Sequence, residues 1–171
     1  LVEKPKNRLP IMTYSKPEKK INELIDILKK NLSNNNQVFW VCPLIKESKF
    51  LDYSSVDKRY NWLKKKFPFQ TSILHGELKQ NEKDLILEKF LQKKTKILVS
   101  TTVIEVGIDF PEANLIIIEN ANKFGLAQLH QLRGRVGRGY KQGKCILLFK
   151  DNLSKNSIQR IKILKKSSDG F

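Results

Sequence analysis

Five short apolar runs decide what this chain can become: "VFWVC" at 38–42, "SILH" at 72–75, "KILVS" at 96–100, "NLIIIEN" at 114–120 and "KCILLF" at 144–149. Each is continuous rather than alternating. A strand with one wet face alternates polar and apolar residues, whereas a strand covered on both faces does not. Between the runs the apolar period changes to that of a helix. Ile21, Leu24, Ile25, Leu28 and Leu32 share one face after Pro17, and Val56, Tyr60, Leu63 and Phe67 share another behind a cap from Ser54 and Asp57. "QNEKDLILEKFLQKK" and the short "GLAQLHQL" are helical, and "SKNSIQRIKILKKS" carries Ile158, Ile161 and Leu164 on one side. Strands and helices in this alternation predict an α/β fold: three layers, doubly wound, with a mainly parallel sheet and helices on both faces. Ligands gather at the carboxyl ends of such strands. The places to inspect are therefore the segments after "SILH", "KILVS" and "NLIIIEN", and the turn that holds "RGRVGRG".

With 171 residues, 40% of them apolar, the chain can bury one core of its own. No apolar run approaches the roughly 20 residues that span a bilayer. The opening "LVEKPKNRLP" has no signal-peptide character, and residues 1–17, broken by Pro5, Pro10 and Pro17, read as a linker from a preceding domain of a longer, cytoplasmic protein. A net charge of +16 favours a polyanion, nucleic acid before an acidic membrane surface. The membrane reading is the weaker because no helix pairs a basic face with aromatic anchors. Scattered lysines that merely solvate the surface are the plain alternative. Cys42 and Cys145 sit inside apolar runs as buried free thiols do, and no Cys/His cluster suggests a metal.

The basic residues are 27 lysines and only six arginines, three of them inside "HQLRGRVGRG" at 130–139. A guanidinium is planar and donates two parallel hydrogen bonds to a phosphate, where lysine offers a point charge. Arg135 and Arg138, three apart, would point the same way on a helical turn, with Gly134 and Gly137 leaving room for close approach. Leu132 and Val136 would face the core, and Arg133 would meet solvent or DNA. Without a motor role, the same turn is a basic loop that holds DNA phosphate unspecifically. A second segment, "VSTTVIEVGIDFPEA", ends a strand in Thr101 and Thr102, residue types that bind phosphate backbones, and then turns through Gly107 and Asp109. Asp109 alone reads equally as a turn former. The third, "LHGELKQ", ends a strand at His75 and Gly76. There is no GxxxxGK[ST] phosphate loop and no DExH box, so an NTPase built on this chain lacks the half that binds most of the nucleotide.

These segments, in this order, resemble the second RecA-like domain of superfamily-two helicases. "QLRGRVGR" matches that family's motif VI and "STTVIEVGID" its motif V. "QVFWVCPLIKES", "LHGELKQNEKD" and "SSDGF" narrow the resemblance to the RecG family of bacterial ATP-dependent DNA helicases. The transcription-repair coupling factor shares the motif VI block. The resemblance runs from about Arg8 to Phe171. It implies a RecA-like domain over 18–150, followed at 151–171 by the start of a helical translocation segment. It implies that Arg135 and Arg138 are arginine fingers on ATP, that Gln131, Gly107 and Asp109 lie at the nucleotide, and that Thr101, Thr102, Gly76 and His75 face DNA. ATP and Mg2+ would be held mainly by a first motor domain, leaving this chain inactive alone. The partners implied are branched DNA, at forks and Holliday junctions, and the first motor and wedge domains of the same protein. A non-catalytic basic DNA-binding module with a helicase-like fold is the alternative.

Overall fold

A computed structural model describes residues 11–42, 49–74, 78–101, 113–136, 142–150 and 153–166. Six strands, β1 (Met12–Pro17), β2 (Gln37–Cys42), β3 (Thr71–Leu74), β4 (Ile97–Thr101), β5 (Ala113–Ile118) and β6 (Lys144–Phe149), form one sheet in the order β1-β6-β5-β2-β4-β3. Every pairing is parallel. The helices are α1 (Leu24–Ser33), α2 (Lys49–Lys66), α3 (Gln80–Leu91), α4 (Leu126–Arg133) and α5 (Lys155–Lys166).

Within each continuous strand, successive side chains go to opposite cores. Val38, Trp40, Ile97, Val99, Leu115, Ile117, Ile146 and Leu148 point to one face, where Leu24 and Leu28 of α1 and Val56 and Leu63 of α2 cover them. Phe39, Val41, Leu98, Ile116, Ile118, Cys145 and Leu147 point to the other, under Phe90 of α3, Leu129 of α4 and Ile161 and Leu164 of α5. The three-layer, doubly wound α/β sandwich expected from the apolar runs is what forms. Both cysteines are buried free thiols. No described helix is long and apolar enough to cross a membrane.

Four local expectations are corrected. Residues 12–17 are not a proline-broken connector but an edge strand, paired from Met12 with Lys144 to Pro17 with Phe149. Pro17 is tolerated because it closes an edge strand, where a missing N–H leaves no ladder bond broken. The chain then enters α1 through a 3-10 segment, Glu18–Glu23, rather than directly from Pro17. Helix α2 starts at Lys49, so Ser54 and Asp57 lie inside it rather than at its start. On α5 the buried positions are Ser157, Ile161 and Leu164, while Ile158 is exposed.

Candidate nucleotide and DNA site

Helix α4 carries the arginine-rich turn, and the route into it is built from β5. Asn120 takes a left-handed conformation (φ 48°), one that asparagine tolerates better than most residues, and turns the chain into a 3-10 segment at Ala121–Lys123. The Gly125 N–H then donates to Gln128 Oε1 at 3.1 Å, closing the first turn of α4. At the other end, the Gly134 N–H reaches the His130 carbonyl at 3.0 Å and the Arg135 N–H reaches that of Leu132 at 3.1 Å. Arg135 thus sits in the tightened turn just past the helix. Its side chain is partly exposed, and Gln131 one turn earlier is exposed.

Arg133 departs most from expectation. It is wholly buried (0% exposed) and so does not face solvent. Its guanidinium donates to the Thr13 hydroxyl at 3.1 Å and the Leu164 carbonyl at 2.7 Å, and lies 3.3 Å from His130 Nδ1. A buried charge persists only when hydrogen-bonded, and the planar fork reaches three elements at once. Thr13 opens β1 and Leu164 lies near the end of α5. The turn therefore sits beside the amino ends of β1 and β6, at the opposite pole from the carboxyl ends where it was expected. Val136 is buried and Leu132 packs against the same core, as the spacing predicted. Gly134 has ordinary helical dihedrals, and a Cβ there would come no closer than 3.4 Å to the His130 carbonyl. The chain's own backbone therefore does not demand that glycine.

Thr101 ends β4 at the carboxyl pole with its side chain 1% exposed and its hydroxyl without a hydrogen-bond partner. Contact with a DNA phosphate requires that strand end to be uncovered. Arg138, Gly107, Asp109, Thr102, His75 and Gly76 lie outside the described residues, as do Gly137 and Pro111. Among the described residues no His, Cys, Asp and Glu cluster is arranged to hold a metal.

Sequence reasoning missed a second polar centre, at the carboxyl ends of β2 and β5. Glu119 is 7% exposed, and its carboxylate accepts from Trp40 Nε1 (2.8 Å), the Cys42 thiol (3.0 Å) and both Arg59 Nε (2.9 Å) and an Arg59 terminal nitrogen (2.6 Å). Arg59 also lies over the rings of Trp40 and Trp62, at 5.5 and 5.0 Å. Burial first, then the neighbouring Glu119 carboxylate, pushes the Cys42 thiol well above the usual range. Four donors saturate this carboxylate, so it clamps α2 to two strand ends rather than acting as a base. The one available signal was an acid closing "NLIIIE", and it could not be paired with Arg59, 60 residues earlier, without the fold.

The model of the helicase conserved C-terminal domain matches residues 19–140. The ATP-dependent DNA helicase RecG of Escherichia coli (strain K12) is 42% identical over 171 residues, which cover 99% of this chain and 25% of that protein. RecG of Thermotoga maritima is 43% identical, covering 99% and 22%. The solved structure of RecG bound to a three-way DNA junction superposes with a TM-score of 0.82 at 40% identity, over 99% of this chain and 22% of that one. The C-terminal domain of the DEAD-box protein Dbp5 shares the fold at a TM-score of 0.56 and 22% identity, over 95% and 88%. The chain spans about a quarter of the length of the curated relatives it matches.

Proposed function

Because the chain belongs to the helicase conserved C-terminal domain family, we propose that it works as the second motor domain of a RecG-type, ATP-dependent DNA helicase that remodels forks and Holliday junctions. The observation that carries this reading is the pairing of a buried Arg133 with a partly exposed Arg135 two residues on. The first fixes the turn to β1 and α5, and the second is partly exposed in the tightened turn that the first anchors.

ATP bound in the cleft with a first motor domain supplies the phosphoryl group, and Mg2+ belongs with that other domain. The residues here suit the phosphate end of such a ligand, since arginine forks match phosphate oxygens and Gln131 stands one helical turn from Arg135. Arg135 and Arg138 bind the phosphate oxygens as charge moves during transfer, Gln131 orients the same group, and Gly107 and Asp109 border it. Thr102, His75 and Gly76 are assigned to the DNA backbone by the family resemblance, with Thr101 joining them once its buried strand end is uncovered.

The test is DNA-stimulated ATP turnover of the full-length protein that carries this domain, wild type against Arg135→Ala and Arg138→Ala, with branched-DNA affinity measured beside it. Turnover falling by about 10³-fold or more with affinity retained is expected of arginine fingers. Retained turnover with weakened affinity would make the turn a DNA clamp and move the non-catalytic module ahead.

A further inference from the structure

Helices α1, α2 and α3 end at one pole of the sheet, in loops tied to one another. The Lys96 and Ile97 N–H groups both donate to the Gln70 carbonyl, at 2.8 and 2.9 Å. Lys93 Nζ reaches the Asn35 carbonyl at 3.5 Å, and Lys96 Nζ binds the Asn35 side-chain oxygen. Each loop holds one residue in the left-handed region: Asn35 (φ 59°), Phe69 (φ 65°) and Lys93 (φ 61°). Asparagine is ordinary there. A phenylalanine is not, because a bulky side chain is an outlier at positive φ. Nor does packing compensate, since Phe69 is 96% exposed.

The loop that carries this ring and the one tied to it are basic, with Lys64 and Lys66 lying over the Tyr60 and Trp62 rings at 5.6 Å each. Lys64, Lys65 and Lys66 close α2 immediately before it, and Lys93, Lys94 and Lys96 fill the neighbouring loop, while residues 64–70 and 92–96 contain no acid. Lysines near helix ends offset the helix dipole, but two helix carboxyl ends amount to only about −1 in all. Six lysines exceed that by about five charges. The dipole also gives no reason for an exposed, strained aromatic.

We propose that this pole, on the β2-β4-β3 half of the sheet and apart from the arginine turn, binds single-stranded nucleic acid, with a base stacked on Phe69 and the backbone running across the lysines of the two loops. A ring projecting from a loop can meet the face of an unpaired base, whereas a duplex hides its base faces; lysines beside such a ring are how sequence-tolerant strand binders are built. The proposal does not depend on the motor assignment.

Its test is photocrosslinking of the full chain to 5-iodouracil-substituted oligothymidylate, with the crosslinked residue mapped by mass spectrometry, and affinity for the same oligonucleotide measured by anisotropy. Phe69→Asn is the informative variant, since it relieves the backbone and cannot be dismissed as unfolded. The expected result is a crosslink on Phe69, about tenfold weaker binding in Phe69→Asn, and a higher melting temperature for that variant. Charge reversal at Lys65 and Lys94 should reduce the slope of log affinity against log salt by roughly 1.4, two single-strand phosphate contacts' worth. No crosslink within 67–70 together with unchanged binding by Phe69→Asn would overturn the proposal. So would displacement of the oligonucleotide by polyglutamate with no dependence on Phe69, which would make the pole a docking surface for acidic protein.

Discussion

None of the four described arginines is exposed, whereas most of the lysines are. Arg59 and Arg133 are locked into buried networks, and Arg160 reaches the Asn122 carbonyl at 2.9 Å. These three guanidiniums sit where several directed hydrogen bonds are made, whereas the exposed lysines supply charge alone. Arg133→Met would leave the Leu164 carbonyl and Thr13 hydroxyl unpaired in the core, and the expected loss is about 3 kcal/mol in urea denaturation. A loss within experimental error would mean those bonds are replaced by water. The thiols offer a second check. Burial pushes Cys145 up to about 12, with Arg133 pulling the other way. A raised pKa means the fold favours the neutral thiol. That contribution is complete below the ordinary thiol range, about 8.5, and is lost as pH climbs towards 12. The stability gap between wild type and Cys145→Ala should therefore shrink from pH 8 to pH 11, and native Cys145 should resist iodoacetamide at pH 8 while unfolded chain reacts.

At the scale of elements, strand β1 and the Glu119 clamp decide how the sheet is finished. Truncation through Pro17 removes β1, bares the edge of β6 and deletes Thr13, a partner of Arg133. The shortened chain should unfold at clearly lower urea concentration, and an unchanged midpoint would show β1 to be dispensable. Glu119→Gln keeps the shape but removes the nearer of the two carboxylates on Arg59, leaving Glu18 at 3.8 Å, at a cost of about 2 kcal/mol in urea denaturation. These are also the elements that sequence could not supply. "VFWVC" and "NLIIIE" announce themselves because both faces are buried, as Trp40 and Phe39 on opposite cores illustrate. "MTYSKP" does not, since an edge strand leaves Met12 and Tyr14 exposed and its only neighbour is β6, more than a hundred residues away. Arg133 was misread for a related reason. Its local neighbours are all motif, and the groups that bury it come from Thr13 and Leu164. Arg135 and Gln131, by contrast, were picked from the residues of one turn alone, and turnover measurements on the full-length protein test the roles proposed for them.

For the whole molecule, the sheet is a rigid spacer with the arginine turn at one pole and the strand ends of Thr101 and Leu74 at the other. On the proposed reading, this domain would complete a phosphoryl-transfer site held mainly by another domain, and the 171-residue chain should then hydrolyse no ATP by itself. Measurable turnover by the purified chain would refute this. In the proposed motor role, Arg135 acts as a planar fork on phosphate and not simply as positive charge. The most direct measurement is single-turnover ATP hydrolysis by the full-length protein carrying Arg135→Lys, alongside its affinity for branched DNA. The charge survives in that variant and the fork does not. Hydrolysis slowed by about 10²-fold or more is expected, with DNA affinity and its salt dependence unchanged. Hydrolysis at the wild-type rate would contradict that role.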